Sequence, residues 1–196
     1  MRALYEFAAE AQRFCEGHQW RFCFIGGIAV QRWAEARLTT DVDLTLLTGF
    51  GREEEFVDKL LGRFPGRIPD AREFALRNRV LLLASPEKIG IDVALGGFPF
   101  EVSAVNRATE FEFLPGVRLR TCSAEDLIVF KAFAGRPLDW HDVKMTISRQ
   151  GESNLDWTYI DRELEPLCEL KGQPEIMQQL KQLRLEVAKK APSPGT

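Results

Sequence analysis

Strand and helix patterns alternate through the first 120 residues of this chain, and from Ser123 onward only helical periodicity is left. That order restricts the fold to an α/β (α+β) arrangement, a mixed sheet flanked by helices with a helical C-terminal part packed on it. Leu4, Phe7, Ala8, Ala11, Phe14 and Cys15 form the apolar stripe of a helix over 1–18. Arg21–Ile25 reads as a short apolar strand stopped by Gly26 and Gly27, and a helix follows over 28–36. A strand at 41–47, a helix at 53–64 broken by Pro65 and Gly66, and strands at 79–84 and 90–95 come next. A short helix at 98–106 and a hairpin over 111–119, turning at Pro115 and Gly116, complete the sheet part. Helices at 123–134, 137–149, 157–170 and 174–189 fill the remainder. The division expected from this is a sheet domain at 1–121, a helical region at 122–190 and a disordered tail at 191–196.

Composition narrows the function classes. With 196 residues, 45% of them hydrophobic and 28% charged, the chain can bury a core without disulfides or a structural metal. Its 26 Lys and Arg against 29 Asp and Glu leave a net charge of -3, which argues against a dedicated, sequence-independent nucleic-acid binder. Cys15, Cys23, Cys122 and Cys168 include no C-x-x-C pair, and neither His18 nor His141 stands at zinc-ligand spacing from them. Reduced thiols in a cytoplasmic protein are therefore expected. No apolar run approaches the length of about 18 residues that a membrane span needs, and the N-terminus lacks the apolar stretch of a signal peptide.

The chemistry concentrates between Phe24 and Leu44. A strand that ends in two glycines and opens a helix directs backbone N–H groups outward at the positive end of that helix, where phosphate is the usual guest. Gly26 and Gly27 are thus candidates for phosphate binding, with plain loop geometry as the alternative. Asp41 and Asp43 are two apart in a strand and project from one face, while Val42 and Leu44 point into the core. Side-by-side carboxylates repel, and a divalent cation relieves them; oxygen donors of this kind suit Mg2+ or Mn2+. A solvated strand end and an Asp turn are the alternatives, whereas a calcium loop is disfavoured because Thr45, Leu46 and Leu47 follow without a glycine. Asp92 is a lone acid in the apolar strand Ile89–Leu95, so it pairs with a base or joins a metal site. If the two strands are neighbours, Asp41, Asp43 and Asp92 converge and can hold two magnesium ions, the arrangement that serves phosphoryl or nucleotidyl transfer.

Taken together, the Gly-Gly pair, the Asp-x-Asp strand and the later lone acid resemble the nucleotidyltransferase superfamily shared with DNA polymerase beta. More narrowly, Gly26-Gly27-Ile28-Ala29-Val30 followed by Arg37-x-Thr39-x-Asp41-x-Asp43-Leu44 resembles the AbiEii-type nucleotidyltransferases of bacterial abortive-infection and toxin–antitoxin systems. Glu125 to Val143, with Lys131, Gly135, Arg136, Asp139 and Asp142, is similar to that group's second signature. The resemblance implies a nucleotidyltransferase-fold sheet and a metal-dependent enzyme that moves a nucleoside monophosphate from a nucleoside triphosphate to an acceptor hydroxyl. It also implies a toxin-like role, with RNA such as the tRNA 3′ end, or a protein hydroxyl, as acceptor, and a cognate antitoxin as partner.

By the same resemblance Asp41, Asp43 and Asp92 are the catalytic and metal-holding residues, and Gly26, Gly27, Arg37 and Lys131 bind the nucleotide. Arg37 has a surface role as its alternative. Lys131 lies on an otherwise apolar helix face with Leu127, Phe130 and Ala134, where an unpartnered ammonium is costly. It is a cation aimed at phosphates, or else a snorkelling lysine or a structural ion pair. Two further readings stay open: a nucleotidyltransferase acting on a small antibiotic-type molecule, and a non-catalytic nucleotide- or partner-binding module with the same fold.

Overall fold

The computed structural model describes residues 1–190; the tail expected to be disordered, 191–196, lies outside the described residues. The chain divides into two compact units, one of Met1–Ala29 with Arg37–Ser123, the other of Val30–Ala36 with the chain from Ala124 on. Among the described residues no helix is long and apolar enough to cross a membrane.

The first unit begins with α1 (Arg2–Gly17), β1 (Phe22–Phe24), the first half of α2 (Gly26–Trp33) and β2 (Asp41–Leu47). It continues through α3 (Glu53–Leu61), α4 (Ala71–Asn78), β3 (Val80–Ala84) and β4 (Gly90–Gly96). It closes with α5 (Pro99–Arg107), β5 (Thr109–Leu114) and β6 (Val117–Thr121). The six strands form one sheet in the order β3-β4-β2-β1-β6-β5. β2 runs parallel to β4 and β1 parallel to β6, while the other neighbours are antiparallel, so the sheet is mixed as expected.

Alternation decides which face is core. Val42, Leu44 and Leu46 of β2, Ile91, Val93 and Leu95 of β4, and Leu81 and Leu83 of β3 are buried in one cluster with Leu4, Phe7, Ala8 and Ala11 of α1, Val57 and Leu60 of α3, and Ala71 and Ala75 of α4. Gln12 interrupts the apolar stripe of α1 and is buried too. Its amide accepts from the Arg120 N–H at 2.9 Å and donates to the Arg118 carbonyl at 3.3 Å, docking α1 on β6. The side chains left on the opposite face of β2 and β4 include the acids taken up below.

Three departures from the periodicity reading have local causes. α4 occupies 71–78, where no helix was expected, because only Ala71 and Ala75 mark its buried side. α3 ends at Leu61, three residues short of the expected Phe64. α2 starts at Gly26, two residues early, because a carboxylate from β2 accepts an N–H of its first turn.

The second unit holds α6 (Ala124–Ala134), α7 (Pro137–Gln150), α8 (Trp157–Lys171) and α9 (Glu175–Lys190), with a single 3-10 turn at Glu152–Asn154. α6 is apolar nearly all round because α7, α8 and α9 all pack on it. The Asp156 carboxylate caps α8 by accepting from the Tyr159 N–H at 2.9 Å, and the Tyr159 hydroxyl donates to buried Asp126 at 2.5 Å. At the other end of the unit, Arg149 and Gln150 of α7 donate to the Ala34 and Trp33 carbonyls that finish α2.

All four cysteines are buried. Burial, with a smaller push from the Glu16 charge, raises the Cys15 thiol to about 12. The thiolate is the reactive form. The native protein is therefore expected to resist a maleimide at neutral pH and to take up four equivalents only after unfolding, as a mass spectrum taken before and after denaturation checks.

Candidate active site

The parallel register of β2 and β4 sets Asp43 directly opposite Asp92, and Asp41 opposite Gly90. Val42 and Leu44 are 0% and 1% exposed on the core side, so Asp41, Asp43 and Asp92 all stand on the other face. Side chains paired across neighbouring strands are about 5 Å apart at Cβ. Asp41 is half exposed and accepts from the Thr40 hydroxyl at 3.3 Å, while the Thr39 hydroxyl bonds the Asp41 carbonyl at 3.2 Å. These two threonines shape the turn that leads into β2.

Asp43 turns toward the start of α2, where its Oδ2 accepts the Gly27 N–H at 3.2 Å. The glycine pair has a steric reason here. A Cβ on Gly26, which also has a φ of +52°, would overlap the Asp43 carboxyl group, and one on Gly27 would overlap the Thr39 hydroxyl. The helix N-terminus and the acidic strand are thereby in direct contact.

A base that the sequence reading did not name joins the acids. Gly66 bridges Leu83, and the Arg67 N–H donates to the Leu82 carbonyl at 2.9 Å, so a short segment runs along the outer edge of β3. Leu82 is paired with Asp92, which puts Arg67, Leu82, Asp92 and Asp43 in one row across the sheet. The guanidinium reaches over Leu82 and places Nη2 2.6 Å from Asp92 Oδ1 and Nη1 3.8 Å from Asp41 Oδ1. Burial holds the Asp92 carboxyl above the ordinary aspartate value. The charge and hydrogen bond of Arg67 pull it down, and the Asp41 charge pushes it up. The only signal for this base in the sequence was the demand of a lone, half-buried acid for a partner.

Among the described residues no group of three His, Cys, Asp or Glu side chains is gathered closely enough to ligate one metal ion. The three acids share a face, but Arg67 engages Asp41 and Asp92 while Gly27 engages Asp43. As a donor set of hard carboxylate oxygens on two adjacent strands, they suit Mg2+ or Mn2+. Arg37 is partly buried in the connection before β2, with Nη1 donating to the Leu38 carbonyl at 3.3 Å.

In the helical unit Lys131 has partners of its own. Its ammonium lies 2.8 Å from Asp139 and 2.9 Å from Asp142, with the lysine side chain 9% exposed and each aspartate 1%. Arg136 adds a hydrogen bond from Nε to Asp139 at 2.6 Å and one from its backbone N–H at 3.2 Å, which ties the first turn of α7. Burial works against ionisation of Asp139, but the hydrogen bonds and charges of Arg136 and Lys131 outweigh it and hold the carboxyl below the ordinary value. A depressed pKa stabilises the fold above the unfolded value and loses that contribution as pH falls through the folded value. The gap in melting temperature between the wild type and Asp139→Asn is accordingly expected to narrow as pH drops from about 5 toward about 2.

A family model described as "Nucleotidyl transferase AbiEii toxin, Type IV TA system" matches residues 12–194. No curated protein sequence matches the chain. An antigenic nucleotidyltransferase-like protein from Paracoccidioides brasiliensis is similar in structure, with a TM-score of 0.52 at 16% identity over 91% of this chain and 92% of that one. The solution structure of the antibiotic-resistance factor ANT(2'')-Ia gives 0.43 at 15% identity, over 95% of this chain and 90% of that one. The crystal structure of ANT(2")-Ia in complex with adenylyl-2"-tobramycin gives 0.43 at 14% identity, over 92% and 94%.

Proposed function

The chain belongs to the AbiEii family of nucleotidyltransferases, and from that premise we propose that it moves a nucleoside monophosphate from a nucleoside triphosphate to an acceptor hydroxyl, with Mg2+ or Mn2+ held by Asp41, Asp43 and Asp92. The observation that carries this reading is the register that sets Asp43 opposite Asp92 with Asp41 on the same face. Asp43 and Asp92 are directly paired, with Cβ atoms about 5 Å apart, and Asp41 stands on the same face two residues before Asp43, so side-chain rotation would turn the three acids toward a shared ligand position. Divalent ions at such a position supply charge neutralisation of the triphosphate and activation of the attacking oxygen.

The chain's own residues do the rest. The acceptor oxygen attacks the α-phosphorus, the bond to pyrophosphate breaks, and the acceptor proton passes to a carboxylate. Asp92 is assigned that duty as the acid of the neighbouring strand that faces Asp43. Asp43 would hold an ion by turning away from α2, which would free the Gly27 N–H, so that Gly26 and Gly27 at the start of α2 could receive the phosphates. Arg37, on the connection into β2, would add a cation to nucleotide binding. The acceptor class that fits the family description is a cellular RNA or protein hydroxyl in the cytoplasm, with an antitoxin as the neutralising partner. A net charge of -3 favours an acceptor recognised locally over one held by a broad basic surface.

The test is a transfer assay with each of four α-³²P-labelled nucleoside triphosphates, magnesium and total RNA or cell lysate, run beside Asp41→Ala/Asp43→Ala. Label found in RNA or protein and lost in the variant is the expected result. Label in a small molecule instead would assign the antibiotic-type reading. Neither transfer nor magnesium-dependent nucleotide binding would leave a binding module and overturn the proposal.

A further inference from the structure

We propose that Arg67 is a resident counter-ion that competes with the divalent cation for Asp41 and Asp92, so that metal loading requires the guanidinium to leave. The inference rests on the metal-holding role proposed above for these acids.

The contact is built into the backbone. Arg67 is pinned beside Leu82 by its own N–H, and the neighbouring pairings of Gly66 with Leu83 and of the Ala84 N–H with the Pro65 carbonyl at 3.0 Å fix the segment on the edge of β3. From there one side chain spans the row and meets two acids on different strands. Gly90 stands between them. A Cβ at Gly90 would overlap both Arg67 Nη1 and Asp41 Oδ1, so the strand lacks a side chain at the one place where the guanidinium lies. Asp41 and Asp92 are the acids that Arg67 engages, and both belong to the three carboxylates that would share an ion.

Release is also built in. The Arg67 side chain remains 33% exposed, and a fixed Cα with a flexible stem allows the head group to swing away while the segment stays paired to β3. A guanidinium binds carboxylate and phosphate alike through the same fork of donors. The triphosphate therefore offers Arg67 the exchange partner that free metal does not. Metal and nucleotide would load together, the triphosphate drawing Arg67 off the carboxylates that the metal needs.

The experiment is Mn2+ binding to the full chain without nucleotide, followed by the electron paramagnetic resonance of free Mn2+. Arg67→Ala and Arg67→Gln are compared with the wild type, with circular dichroism melts to establish folding; the glutamine keeps most of the stem and removes the charge. Both variants are expected to bind Mn2+ about two- to fivefold more tightly than the wild type, the change that removing a partly exposed ion pair gives. Arg67→Lys, which retains a cation, is expected to stay near the wild type. Equal or weaker Mn2+ binding by the folded variants, with Asp41→Ala still abolishing it, would overturn the competition and leave the metal site standing. Mn2+ binding that is absent throughout, or indifferent to Asp41→Ala, would overturn the metal reading and this inference with it.

Discussion

Asp43→Asn is expected to lower nucleotidyl transfer by at least about three orders of magnitude while leaving the fold nearly as stable as before. Asp43 ends the row that begins at Arg67, opposite Asp92 and in contact with the Gly27 N–H. An amide is nearly isosteric with the carboxylate and keeps an oxygen to accept from Gly27, so the junction between α2 and β2 survives. What disappears is a negative charge and, on the proposed reading, a carboxylate donor for a divalent ion. Losing a metal-ion contribution of several kcal/mol at the transition state corresponds to rate changes of this size, since each ~1.4 kcal/mol is tenfold. Single-turnover label transfer, read beside a thermal melt, checks both halves. A fall of less than tenfold in a folded variant would remove Asp43 from the reacting centre.

The second large effect concerns stability. Lys131→Met is expected to cost about 3–5 kcal/mol, because it takes the ammonium away from two carboxylates that are each only 1% exposed and leaves Asp139 with Arg136 alone for a cation. Against a typical total of about 5–15 kcal/mol, that is enough to leave the chain marginal at 37 °C. The loss would come from uncompensated charge and only secondarily from the missing packing, so the triple variant with Asp139→Asn and Asp142→Asn should recover most of it. Urea unfolding of the single and triple variants measures the difference. A role of Lys131 toward nucleotide phosphates has a separate readout. It would raise the KM for the triphosphate in the triple variant, whereas a purely structural triad leaves KM unchanged once folding is restored.

The sequence carried the parts of the site that depend on local periodicity. Alternation of Asp41 and Asp43 with Val42 and Leu44 placed both acids on one face before any neighbour was known, since successive strand side chains point in opposite directions whatever lies beside them. The near-uniform apolarity of α6 likewise marked a helix enclosed by others, and Lys131 within it required partners. The glycines that open α2 were legible as a special place, although the clearance they provide is for Asp43 and Thr39 in this structure.

Tertiary structure decided what those parts meet. Asp92 lies in the row of Asp43 because β4 pairs with β2 in parallel, a register set by the packing of Ile91, Val93 and Leu95 against the same core as Val42, Leu44 and Leu46. A shift of two residues would keep every side chain on its own face yet move Asp92 away from Asp43, and nothing local to either strand forbids it. Arg67 was beyond reach for the same reason: it stands in an irregular segment without periodicity, and only the edge of β3 brings it to the acids. Helix and strand faces follow from the backbone's own repeat, so they are written in the sequence. Which faces come together depends on burial summed over the whole sheet, and that sum exists only in the folded chain.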